Sequence, residues 1–118
     1  MLSLDMRGPF DFTSAKIDEY IPKTSPGNYA LGYTKEDGSF IPQYVGRSDT
    51  DIKQELKSKL SDQYKKFEFS YANSPEEAFE KECRNFHDLG GSITLHNKNH
   101  PARPDNTDWK CPLCGFFK

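Results

Sequence analysis

Two tyrosine-bearing runs joined by a tight turn constrain this chain more than any other feature. From Asn28 to Thr34 the residues Tyr29, Leu31 and Tyr33 alternate with others, which is the period of a strand. Lys35-Glu36-Asp37-Gly38-Ser39 follows, and Asp-Gly is a strong hairpin signal because both residues tolerate the backbone of the turn. Phe40 to Gly46 then returns as a second strand. Pro42 marks a bulge or an edge position near its start, since proline has no N–H to give to a ladder.

The flanking segments predict the rest. Met1 to Phe12 reads as an extended lead-in. Thr13-Ser14 caps a short helix with Ile17, Tyr20 and Ile21 on one side, Pro22 stops it, and Ser25-Pro26-Gly27 is a turn. After the hairpin, Ser48 to Thr50 offers caps for a helix from about Asp51 to Tyr64. Its buried stripe is Ile52, Leu56 and Leu60, with Lys65-Lys66 at its C-terminal end. Phe67, Phe69 and Tyr71 alternate, so Lys66 to Ala72 is a third strand. Ser74-Pro75-Glu76-Glu77 is a capping box with proline in the first turn of a helix running to about Leu89, where Gly90-Gly91 ends it. This order predicts an α+β fold: a small three-stranded antiparallel sheet flanked by helices.

Composition bounds the possibilities. At 118 residues the chain fits one domain, read as an extension over 1–26, a core over 27–99 and a tail over 100–118. Only 34% of residues are hydrophobic, so the core is small, and the 14% that are aromatic compensate by burying large rings. The apolar runs are too short for a membrane helix, which argues against a membrane partner, and the N-terminus lacks a signal-peptide pattern. Three cysteines cannot all pair within the chain and read as reduced thiols, so the expected location is intracellular, cytoplasmic or nucleoid-associated. The net charge of −2 provides no whole-molecule attraction to nucleic acid. Along the chain, however, residues 47–66 and 96–118 are each net +2 and flank an acidic stretch, 67–95, of net −4. Such an order suits a basic rim around an acidic metal site acting on phosphodiesters.

Gly27-Asn28-Tyr29 opens the first strand of the hairpin, and Tyr44-Val45-Gly46 closes the second. With the helix, strand and glutamate-bearing helix that follow, this resembles the GIY-YIG nuclease superfamily over roughly Gly27 to Asn99. The resemblance implies a metal-dependent endonuclease that hydrolyses DNA phosphodiester bonds, with branched or damaged DNA as candidate substrates. It implies that Tyr29 and Tyr44 serve the nucleophile and that Glu82, in Glu77-Ala78-Phe79-Glu80-Lys81-Glu82, binds Mg²⁺ or Mn²⁺. It also implies that Asn97 or Asn99 is the asparagine found after the helix. The chain departs from the family at the helix arginine. Glu55 or, by an ungapped count, Gln54 stands there, and neither supplies a cationic fork. Arg47 or Lys59 is expected to substitute. Otherwise the chain is a catalytically weak domain or an inactive nucleic-acid-binding or interaction module.

The cysteines suggest a second metal. Cys111-Pro112-Leu113-Cys114 has the spacing of half a zinc site, and Cys83 and His87 stand one helical turn apart. Together they would form a structural Zn²⁺ site clipping the tail to the glutamate helix, with His100 as an alternative fourth ligand and His96 as a weaker one. Trp109, Phe116 and Phe117 would cover this knuckle and anchor the tail, or stack on a base.

Overall fold

The hairpin forms where expected and lies within a larger sheet. A computed structural model describes residues 6–61, 63–91, 95–97, 101 and 109. Its elements are β1 (Arg7–Asp11), α1 (Ser14–Tyr20), β2 (Gly27–Thr34), β3 (Phe40–Ser48), α2 (Ile52–Ser58), β4 (Lys66–Tyr71) and α3 (Pro75–Asp88). The strands lie in the order β1-β4-β2-β3, and every neighbouring pair is antiparallel.

The described sheet therefore has four strands, not the three expected from sequence. The lead-in supplies the extra one, β1, which pairs with β4. Its register shifts between Arg7 and Phe10, across Gly8-Pro9, so the alternation that marks a strand in sequence is broken. Pro42 sits where the sequence placed it, on an edge strand and at an irregularity. Gly32 pairs with Pro42 but Leu31 with Tyr44, leaving Gln43 as the extra residue.

Helix α2 is shorter than its sequence pattern suggests. The Ser58 hydroxyl donates to the Glu55 carbonyl at 2.6 Å, and the Lys59 and Leu60 N–H groups fall back to the carbonyls of Leu56 and Lys57. The last turn tightens and ends the helix. Leu60, expected in the buried stripe, is exposed. Lys65 and Lys66 do not cap the helix. The Lys65 N–H donates to the Gly32 carbonyl, and Lys66 starts β4 and pairs with Asp11.

Alternation along the central strand β2 separates two layers. One face carries Tyr29 and Leu31, which pack with Ile17, Ile21, Ile52, Leu56, Phe67 and Phe69 beneath α1 and α2. The other carries Asn28 and Ala30 and is covered by α3. There Ala30, Phe40, Val45, Phe86 and Leu95 form a second cluster, and Phe79 and Cys83 a third. Both α2 and α3 begin on side-chain caps. Asp51 accepts from the N–H groups of Lys53 and Gln54, and Ser74 accepts from that of Glu77.

Candidate active site

The site lies where β3, the edge strand, lets both faces meet. Tyr29 and Gly46 are directly opposed across the hairpin. A Cβ at Gly46 would overlap the Tyr29 phenol, so the ring can lie across the neighbouring strand only because this residue is glycine. Around this point a cavity of about 290 Å³ is lined by Tyr29, Tyr44 and Glu55 from one face, Arg47, Asp49 and Glu82 from the other, and Gly46 between them.

Each group has a definite partner. The Tyr29 hydroxyl donates to Glu55 Oε2 at 3.0 Å. Burial, reinforced by the Glu55 carboxylate, raises the Tyr29 pKa far above the ordinary phenol value, so it stays a neutral donor. The Tyr44 ring is half-buried with its centroid 6.3 Å from that of Tyr29. Arg47 Nη1 donates to Glu82 Oε1 at 2.7 Å, and its Nε to Asp49 Oδ1 at 2.8 Å. Its guanidinium also lies 5.1 Å from the Phe79 ring centroid, and the Phe79 ring contacts Trp109 at 5.8 Å. Burial works against the charge of Arg47, but the two carboxylates more than offset it and its pKa is raised. Glu82 is 8% exposed, and burial pushes its pKa up to about 7 although Arg47 opposes the shift.

Several sequence expectations meet here and others do not. Tyr29, Tyr44, Arg47 and Glu82 converge on the cavity. Of the two candidates for the helix arginine position, Glu55 lines the cavity while Gln54 is exposed. Lys59 is exposed and lies 5.8 Å from the Tyr44 ring centroid, outside the residues lining the cavity. Asn97 is buried but grips the backbone: its Oδ1 accepts from the Val45 N–H at 3.0 Å, and its Nδ2 donates to the Val45 carbonyl at 2.7 Å. Asp49 escaped the sequence reading. Its signal was its position, two residues after Arg47.

The proposed zinc ligands are only partly described. Cys83 is fully buried beside Phe79, and the His87 ring meets that of Phe86 edge-on. Cys111, Cys114 and His100, with Asn99, Phe116 and Phe117, lie outside the described residues. Among the described residues no cluster of three or more His, Cys, Asp or Glu side chains could hold a metal ion, and no helix is long and apolar enough to cross a membrane. No family model matches the chain, nor does any curated protein or solved structure compared with it.

Proposed function

We propose that this chain is a GIY-YIG-type, metal-dependent endonuclease domain that hydrolyses DNA phosphodiester bonds. The observation carrying this reading is the convergence of Tyr29, Tyr44, Arg47 and Glu82 on one cavity at the edge of the hairpin. The donor set fits a hard divalent cation. Mg²⁺ typically takes one or two carboxylates and completes its shell with water and substrate phosphate, so Glu82 can hold it without a protein cage. When ionised, Glu82, Asp49 and Glu55 outnumber Arg47, the one cation among the described lining residues, and leave the cavity electronegative. A bound Mg²⁺ or Mn²⁺ would supply Lewis-acid polarisation of the phosphoryl oxygen and offset the phosphate charge.

The protein groups divide the remaining work. Arg47, oriented by Asp49 and Glu82, presents a fixed cation to charge developing on the phosphate. Tyr29 remains a phenol and orients Glu55, and the Tyr44 hydroxyl can hold the nucleophilic water by a hydrogen bond. In the tail, Zn²⁺ held by Cys83, His87, Cys111 and Cys114, with His100 as the alternative ligand, would fix the segment against α3. The contact between Trp109 and Phe79 supports this, because it brings the chain just before Cys111 to the cluster holding Cys83. A zinc stoichiometry of zero would exclude the clip.

One observation favours a second reading, an inactive nucleic-acid-binding or interaction module: the guanidinium of Arg47 is already engaged by two carboxylates. A cleavage assay on plasmid and branched DNA with Mg²⁺ or Mn²⁺ separates the two. The nuclease reading expects cleavage that Glu82→Ala abolishes. Cleavage that survives this substitution overturns the mechanism, and no cleavage by the unaltered protein selects the module.

A further inference from the structure

Tyr64 and His96 lie beside the cavity, yet the proposed chemistry uses neither. We infer that they are positioning residues for Tyr44, an inference that rests on the nuclease reading for its catalytic consequence but not for its geometry. The Tyr44 ring sits between two others, with centroids 6.3 Å from Tyr29 and 6.4 Å from Tyr64. Tyr29 is anchored by Glu55. Tyr64 is anchored on the opposite side, where its hydroxyl lies 2.9 Å from His96 Nδ1 and the two ring centroids are 5.7 Å apart. Gln63 Nε2, an amide nitrogen that can only donate, lies 3.4 Å from the same ring nitrogen. In the tautomer protonated on Nε2, His96 Nδ1 accepts from the Tyr64 hydroxyl.

His96 is itself fastened to the strand that bears Tyr44. Its backbone N–H donates to the carbonyl of Gln43 at 2.6 Å, and the next residue, Asn97, grips both backbone groups of Val45. The segment 95–97 thus holds β3 immediately before and after Tyr44, and its histidine holds the ring that packs on Tyr44. Tyr64 is only 8% exposed. Packing alone would be served by phenylalanine, and burying a hydroxyl is costly unless it is paired. The hydrogen bond sets where the Tyr64 ring lies and so limits the tilt open to Tyr44, whose hydroxyl must meet the nucleophile.

The test combines a spectroscopic readout with kinetics. Tyrosine ring signals are recorded on protein carrying ¹³C-labelled tyrosine, with Tyr44 assigned by the peak missing from Tyr44→Phe. Tyr64→Phe keeps the ring and removes the donor, His96→Ala removes the acceptor, and His96→Asn restores one at the place of Nδ1. The expected result is a displaced or broadened Tyr44 signal in the first two variants and recovery in the third. The control Tyr33→Phe, on an exposed residue, should leave it unchanged. Where the unaltered protein cleaves DNA, Tyr64→Phe and His96→Ala should lower kcat roughly tenfold with KM held, and His96→Asn should restore it. A Tyr44 signal identical in all variants overturns the inference. An unaltered protein that does not cleave leaves the ring measurement to decide it, so failure of the nuclease reading is seen separately. Should Tyr64→Phe not fold, the His96 pair decides the question, because that side chain is exposed.

Discussion

Beneath α1 and α2 the sheet is closed by Ile17, Ile21, Leu31, Ile52, Leu56, Phe67 and Phe69, each at most 1% exposed and each apolar. Beneath and beside α3 the chain instead buries Asn28, Glu82, Asn85 and Asn97. Among the described residues, Asn28 Oδ1 and Asn85 Nδ2 have no hydrogen-bond partner there, a costly arrangement in a small domain. The same sheet thus separates two tasks. One face holds the larger apolar cluster that a chain with 34% hydrophobic residues needs to fold, and the other combines smaller apolar clusters with desolvated charge at the edge where the cavity opens.

The largest expected effect tests the apolar face. Phe67→Ala should destabilise the protein by about 3–5 kcal/mol, because it removes a fully buried ring from between the helices and the sheet. Urea unfolding measures it, and a loss below about 1 kcal/mol would mean that this face does not carry the fold.

The next prediction puts the polar face to the same test. Arg47→Ala leaves Glu82 buried without its ion-pair partner and, measured above pH 7 where Glu82 is ionised, should cost on the order of 3 kcal/mol. Replacing the pair together, Arg47→Met with Glu82→Met, should recover most of that stability while abolishing cleavage. A double variant as unstable as the single one would show that this ion pair holds the fold together, and the contrast between the faces would fail.

A pH series sharpens the contrast. The Glu82 pKa is raised by burial from 4.5 to about 7, so the native state binds this proton more tightly than the unfolded chain. The stability it contributes is complete below pH 4.5 and is lost as the pH rises through 7, a fall of about 1–3 kcal/mol in metal-free protein. Half-buried Glu68, also raised from 4.5 to about 7 by burial, adds a change of the same sign. Unfolding midpoints between pH 4.5 and 8 should therefore decline, and Glu82→Gln should flatten the slope in part. An unchanged slope would mean that Glu82 is ionised throughout.

The smallest effects come from the helix caps. Asp51→Ala and Ser74→Ala should each cost about 1 kcal/mol. Ser74→Ala should also lower cleavage, because it loosens the helix that carries Glu82, whereas a wholly global effect would lower cleavage equally in both variants.

Much of this fold was legible in the residues. The Asp-Gly turn, the alternation around Tyr29 and Leu31, the Ser74-Pro75 start and the Gly90-Gly91 stop all act over a few residues, and each appears where its local chemistry puts it. Gly38, Gly90 and Gly91 have positive φ, the backbone conformation that favours glycine. What stayed hidden was non-local. β1 has no alternation of its own and exists because β4 offers a free edge. Leu60 satisfied the helical period but lay beyond the point at which α2 ends, so its place in the stripe could not be judged from spacing.

The candidate site divides in the same way. Tyr29, Tyr44 and Glu82 stood out in sequence because tripeptides and helix spacing are short-range patterns, and Gly46 because a strand closes on it. Arg47 and Lys59 could not be separated from sequence, since only the tertiary structure decides which cation reaches Glu82. The cross-strand pairing of Arg47 with Asn28 puts it on the α3 face, where Glu82 waits, while Lys59 at the end of α2 emerges on the other. Asp49, Tyr64 and His96 join the site from three separate segments of the chain, through contacts that no local pattern encodes. Hydrogen-bonding period and turn chemistry are properties of neighbours in sequence, so the sequence alone determined the elements. Burial, ion pairing and the pKa of Glu82 depend on which surfaces exclude water together, so only the folded arrangement decided them.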